Sequence, residues 1–106
     1  MIKGVGEVHL AANDGSASLT MAFPPSNIWA SVTLTRFSSR HDDHPTTWWM
    51  GADITQVTTT SGAEDFPGNG LPSVFRNACT SVTFSVEANL EDAMGGVKAR
   101  ATVCFF

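Results

Sequence analysis

From Val82 to Leu90, and again from Val97 to Phe105, every second residue is apolar: Val82, Phe84, Val86, Ala88 and Leu90, then Val97, Ala99, Ala101, Val103 and Phe105. A period of two is the mark of an extended strand with one buried face, because helical geometry would scatter these positions around an axis. The pattern recurs near the start, where "VGEVHLAANDGSASLTMAF" places Asp14-Gly15 between two alternating runs. Asp-Gly between such runs signals a two-residue hairpin turn. Setting Asn13 opposite Ser16 would pair Leu10 with Leu19, Val8 with Met21 and Gly6 with Phe23, leaving Glu7, His9 and Thr20 on a solvated face.

"PPSN" at 24–27 reads as a break. The next run, "IWASVTLTRF", carries Ile28, Ala30, Val32 and Leu34 on one face and Trp29, Ser31, Thr33, Thr35 and Phe37 on the other. In "TWWMGADITQVTTT", Trp48, Met50, Ala52 and Ile54 share one parity, and Trp49, Gly51, Asp53, Thr55 and Val57 the other. A hairpin around the 38–46 loop would pair Leu34 with Met50, Thr35 with Trp49 and Phe37 with Thr47. The stretch 61–78, with Pro67, Gly68, Gly70 and Pro72, reads as a long connection with one helical turn after Pro72. Phe66, Leu71, Val74 and Phe75 are expected to fasten it to the core. "EDAMGG" closes a last hairpin, whose registers place either Cys79 opposite Cys104 or Glu87 opposite Lys98. Directly opposed cysteines make poor disulfides, so free thiols are slightly favoured.

With 106 residues the chain suffices for one domain, 1–106, whose core needs neither metal nor disulfide. Strands joined by hairpins and one crossover predict an all-β fold: an antiparallel β-sandwich of six to seven strands, with a jelly-roll or barrel as the variant. Only 15% of residues are charged, and ten acidic against six basic residues give a net charge of −4. The cations Lys3, Arg36, Arg40, Arg76, Lys98 and Arg100 are scattered, which argues against nucleic acid as a partner. No apolar run is long enough for a transmembrane helix, and "MIKGVGEVHL" lacks the hydrophobic segment of a signal peptide. The expectation is a soluble chain that stays in the cytosol, has lost a leader, or leaves by another route.

Chemistry is densest in "SSRHDDHPTTWWMG". Successive strand side chains point to opposite faces, so Trp48 and Trp49 cannot both enter one core. The apolar parity assigns Trp48 inward and Trp49 outward, with Gly51 leaving the Trp49 ring open. The outer face would then display Trp29, Phe37, Trp49 and Val57, and Trp29, Phe37, Trp49 and Asp53 form the candidate ligand or interface set. The alternative is that the 61–78 connection or the chain termini cover these rings.

His41, Asp42, Asp43 and His44 are competent metal ligands, but four consecutive residues seldom converge on one ion, and the spaced-acid calcium pattern is absent. A solvated turn is the preferred reading, with no resident cofactor. Ser38, His41 and Asp43 are triad residue types without the Gly-x-Ser-x-Gly frame. The resulting expectation is a non-catalytic, lectin-like module that binds a carbohydrate or small ligand and forms a homo-oligomer. The alternatives are a structural subunit of a virion or appendage, and a metal-dependent hydrolase acting through HDDH.

Overall fold

The computed structural model describes residues 2–12, 15–38, 47–67, 70–90 and 96–106, excepting the side chains at 37–38, 47–50 and 89–90. The described chain is all-β: β1 (Gly4–Ala12), β2 (Gly15–Ser38), β3 (Thr47–Thr59), β4 (Gly62–Asp65), β5 (Ser73–Leu90) and β6 (Gly96–Phe105). They form one open antiparallel sheet in the order β1-β6-β2-β5-β3-β4. Its edges are different strands that do not close on each other, so the barrel variant is not formed. Among the described residues no helix is long and apolar enough to cross a membrane.

The alternating faces are as the sequence predicts. Ile28, Ala30 and Val32 are buried, as are Val82, Phe84, Val86 and Ala88, and Val97, Ala99, Ala101 and Val103. They join Leu10, Ile54, Val57 and Val74 in one hydrophobic cluster. Each burial removes apolar surface from water at roughly 25 cal/mol per Å², so the sheet is held chiefly by this face.

The strand partners differ from every hairpin expected between long strands. β1 pairs with β6, setting Leu10 opposite Ala99, and the first part of β2 pairs with β5, setting Leu19 opposite Phe84. Gly6 and Met21 nevertheless come close although β6 separates their strands in the sheet: a Cβ on Gly6 would lie 3.2 Å from Met21 Sδ. The exchange keeps Val8, Leu10, Leu19, Met21 and Phe23 on the packed face, because parity depends on spacing along a strand and not on which strand lies alongside.

"PPSN" does not end the strand. β2 runs through it with register shifts on either side of Ser26, and the prolines, which have no N–H to donate, stand out of the ladder. Beyond this irregularity β2 lies between β6, which it pairs over Ile28 to Ser38, and the start of β5. The expected hairpin of Leu34 with Met50 is replaced: β5 lies between β2 and β3, so Leu34 faces Ala99 and Met50 faces Ala88. Leu34, expected in the core, is exposed.

The stretch 61–78 is no loose connection. It holds β4, which hairpins back on β3 with Thr59 opposite Gly62, and the beginning of β5, which is extended where a helical turn was expected. Val74 is buried, Phe66 and Leu71 pack on the core, and Phe75 is exposed instead of joining them. The β5–β6 hairpin is likewise absent: Glu87 faces Ser16 and Gly51, Cys79 faces Ser26 and Thr59, and Cys104 faces Val5 and Trp29. Both thiols are free. Val57, expected outward, is fully buried, because a register shift between Ile54 and Gln56 inserts a residue and reverses the alternation.

Candidate functional site

The residues singled out from the sequence separate. Trp29 on β2 is 43% exposed and Asp53 on β3 is half-buried. Trp29 faces Phe75 while Asp53 faces Ser85, ten positions further along β5. The backbone of Phe37 pairs with Val97 and that of Trp49 with Asn89. The side chains of Phe37, Trp48 and Trp49 lie outside the described residues, as do His41, Asp42, Asp43 and His44 altogether. Among the described residues no three or more His, Cys, Asp or Glu are grouped to hold a metal. Partial burial, and then the neighbouring charge of Glu87, push the Asp53 carboxyl above its ordinary range.

Trp29 has other companions. Across β1, β6, β2 and β5 runs the row Val5, Cys104, Trp29 and Phe75, each directly opposite the next. Opposed residues on antiparallel strands share a face, so these four project together. Val5 is 61% and Phe75 50% exposed, and Cys104 is half-buried. Two residues along, the parallel row is Glu7, Thr102, Ser31 and Ser73, and beyond it stand His9, Arg100 and Thr33. Glu7 Oε1 lies 3.6 Å from Arg100 Nε and 3.7 Å from His9 Nε2. This face therefore passes from apolar to charged within three rows.

At its apolar end the face adjoins an open groove of about 610 Å³, lined by Phe23, Pro24, Pro25, Phe105 and Phe106, with Lys3 and Asn27 as polar members. Phe23 and Phe105 meet edge to face at 5.0 Å, and Phe106 lies 6.1 Å from Phe75, linking groove to row. Asn27 builds one wall: its carbonyl accepts from the Phe106 N–H, and its Oδ1 accepts the Ala78 N–H at 3.1 Å. Ala78 is held there at φ 52°, a conformation a residue with a Cβ seldom adopts. Such positions gather at ligand sites.

The Phe75 backbone is fixed from the next residue. Arg76 grips Glu64 through two hydrogen bonds of 2.9 and 2.8 Å, donates to the Phe75 carbonyl at 2.8 Å, and lies over the Phe66 ring at 5.7 Å. The guanidinium holds the Glu64 carboxyl below the usual carboxylate range. Sequence reasoning found Trp29 but missed Phe75 and the groove. The sequence pattern assigns Phe75 to the core, Pro24-Pro25 to a break and Phe105 to the apolar face of the last strand, and only β6 lying beside β2 brings them together.

A groove of several hundred Å³ that combines aromatic and proline surface with a few polar groups has the size and chemistry of a small-ligand site. The sequence matches no protein-family model and no curated protein.

Proposed function

We propose that this chain is a non-catalytic binding module of the β-sandwich type, taking a carbohydrate or similar small ligand on Trp29, Phe75 and the adjoining groove, and working as a homo-oligomer. The observation that carries it is the exposed Trp29–Phe75 pair opening onto the aromatic groove. Indole and phenyl rings side by side offer flat apolar faces to a sugar ring, and Lys3, Ser26 and Asn27 offer hydrogen bonds at the groove. The sandwich is supported by complete burial of Ala30, Val103, Phe84 and Val86 on one face of a sheet. With only strands among the described elements, two halves of the sheet folded face to face would cover that surface, as the Gly6–Met21 and Phe23–Phe105 contacts suggest.

A glycan-array screen of the purified protein beside Trp29→Ala and Phe75→Ala tests the reading. Binding by the parent and at least tenfold loss in both variants, with unchanged melting, is the expected result. A specific observation also favours the structural-subunit reading: Ile2 and Val5, aliphatic and 53% and 61% exposed, suit a protein contact better than a sugar. Assembly that persists while no ligand binds would select it.

A further inference from the structure

The two edges of the sheet are built differently. β4 has four residues, all exposed, ending in Glu64 and Asp65, and a short charged edge strand discourages pairing with another chain. β1 has nine residues and pairs with β6 without a register shift from Gly4–Phe105 to Ala12–Val97. Its other edge meets no strand among the described residues. "GVGEVHLAA" contains no proline, lysine or arginine, and no bulge turns it aside. A long, regular, unguarded edge is a template for strand addition.

We propose that β1 pairs antiparallel with β1 of a second copy of this chain, about a two-fold axis at Val8. The inference rests on the oligomeric reading above and names its surface. Two-fold pairing about Val8 sets residue 7 of each copy opposite residue 9 of the other, so each Glu7 faces the His9 of the second copy, twice over. An imidazole N–H donates to a carboxylate in either protonation state. Arg100 stands directly behind His9 on β6, adding positive charge to the group that meets each Glu7. The side chains of Glu7 and His9 are solvent-accessible, 48% and 71% exposed.

The remaining pairs fit the same register. Val5 faces Ala11 of the second copy, extending the apolar row beyond Val5. Gly6 faces Leu10, and Val8 faces itself. An interface in which the same patch meets itself is the common form of a dimer. The self-complementary charges select a second copy over a foreign strand.

Sedimentation equilibrium on the whole chain compares the parent with Glu7→Lys, His9→Glu and the double swap. Dimers are expected for the parent. Glu7→Lys removes the carboxylate that accepts the imidazole N–H, and His9→Glu sets carboxylate against carboxylate, so each single change should weaken association about tenfold. The double swap should restore it to within about threefold of the parent, since each residue then faces its opposite again. Ala11→Lys, at an exposed position, should weaken the dimer and leave the monomer's melting unchanged. A parent that is monomeric at every concentration would overturn both the oligomeric reading and this interface. A dimer indifferent to Ala11→Lys and to the charge changes, or one not restored by the swap, would overturn the β1 interface alone.

Discussion

Ile54 and Leu71 exchange both backbone hydrogen bonds, Ile54 N–H to Leu71 carbonyl at 2.7 Å and Leu71 N–H to Ile54 carbonyl at 3.0 Å. Together with the Phe66 N–H donated to the Thr55 carbonyl at 2.9 Å, this bridge fastens the segment after β4 to β3, and it requires glycine just before it. Gly70 sits at φ +68°, and a Cβ there would stand 2.6 Å from the Ile54 carbonyl oxygen and 2.8 Å from Asp53 Cβ.

Gly70→Ala should therefore destabilise the protein by about 2–4 kcal/mol, combining left-handed backbone strain with a clash against main chain that cannot yield without breaking the bridge. Urea unfolding of the variant measures it. A change below about 0.5 kcal/mol would show that the segment is free to detach from β3.

Phe84 and Phe75 lie on the same strand in opposite environments, the first fully buried and the second half exposed. Phe84→Ala should cost about 3–5 kcal/mol, the usual effect of removing a buried aromatic ring. Phe75→Ala should stay within about 1 kcal/mol of the parent. Equal losses would mean that the apolar row is covered, and would remove the basis for a site there.

Two carboxylates shift in opposite directions and make opposite contributions to stability with pH. Burial and Glu87 raise Asp53 above 3.8, so its contribution is fully present below that value and is lost as pH rises through its folded pKa. Asp53→Asn should raise the melting temperature at neutral pH, with the gain vanishing below about pH 4. Arg76 lowers Glu64 below 4.5, so its contribution is present above that value and lost as pH falls through the folded pKa. Glu64→Gln should lower melting at neutral pH and converge on the parent in acid. Melting curves of the three proteins across pH 2–8 would reject both assignments if the differences were independent of pH.

The thiols should react at different rates. Cys79 is fully buried, its Sγ donates to the Ser81 carbonyl at 3.3 Å, and burial pushes its pKa above 9.0. Cys104 is partly exposed beside Trp29. Iodoacetamide on the native protein should modify Cys104 well before Cys79, with denaturant removing the difference, as followed by peptide mass spectrometry. Rapid labelling of Cys79 in the native protein would contradict its burial.

The inward faces were legible in the residues themselves. Ile28, Ala30 and Val32, Val82 through Ala88, and Val97 through Val103 are buried in the parity their spacing dictates, because alternation is a local property of an extended chain. Partner choice was not, since every pairing that matches apolar parity satisfies the same local rule. Leu10 fits Leu19 as well as Ala99, and the long-range assembly of β6 between β1 and β2 decided it. Val57 turned inward through a bulge at Ile54–Gln56 that carries no glycine or proline to announce it.

The candidate site divides in the same way. Trp29 could be placed outward from its own strand, because neighbours at i±1 alternate. Its association with Phe75, Val5 and the Phe23–Phe105 groove joins segments from both ends and the middle of the chain, and it exists only once the tertiary register is set. Period and composition determine which side of a strand meets water; which strands lie side by side is decided by the whole apolar surface that the folded sheet withdraws from solvent.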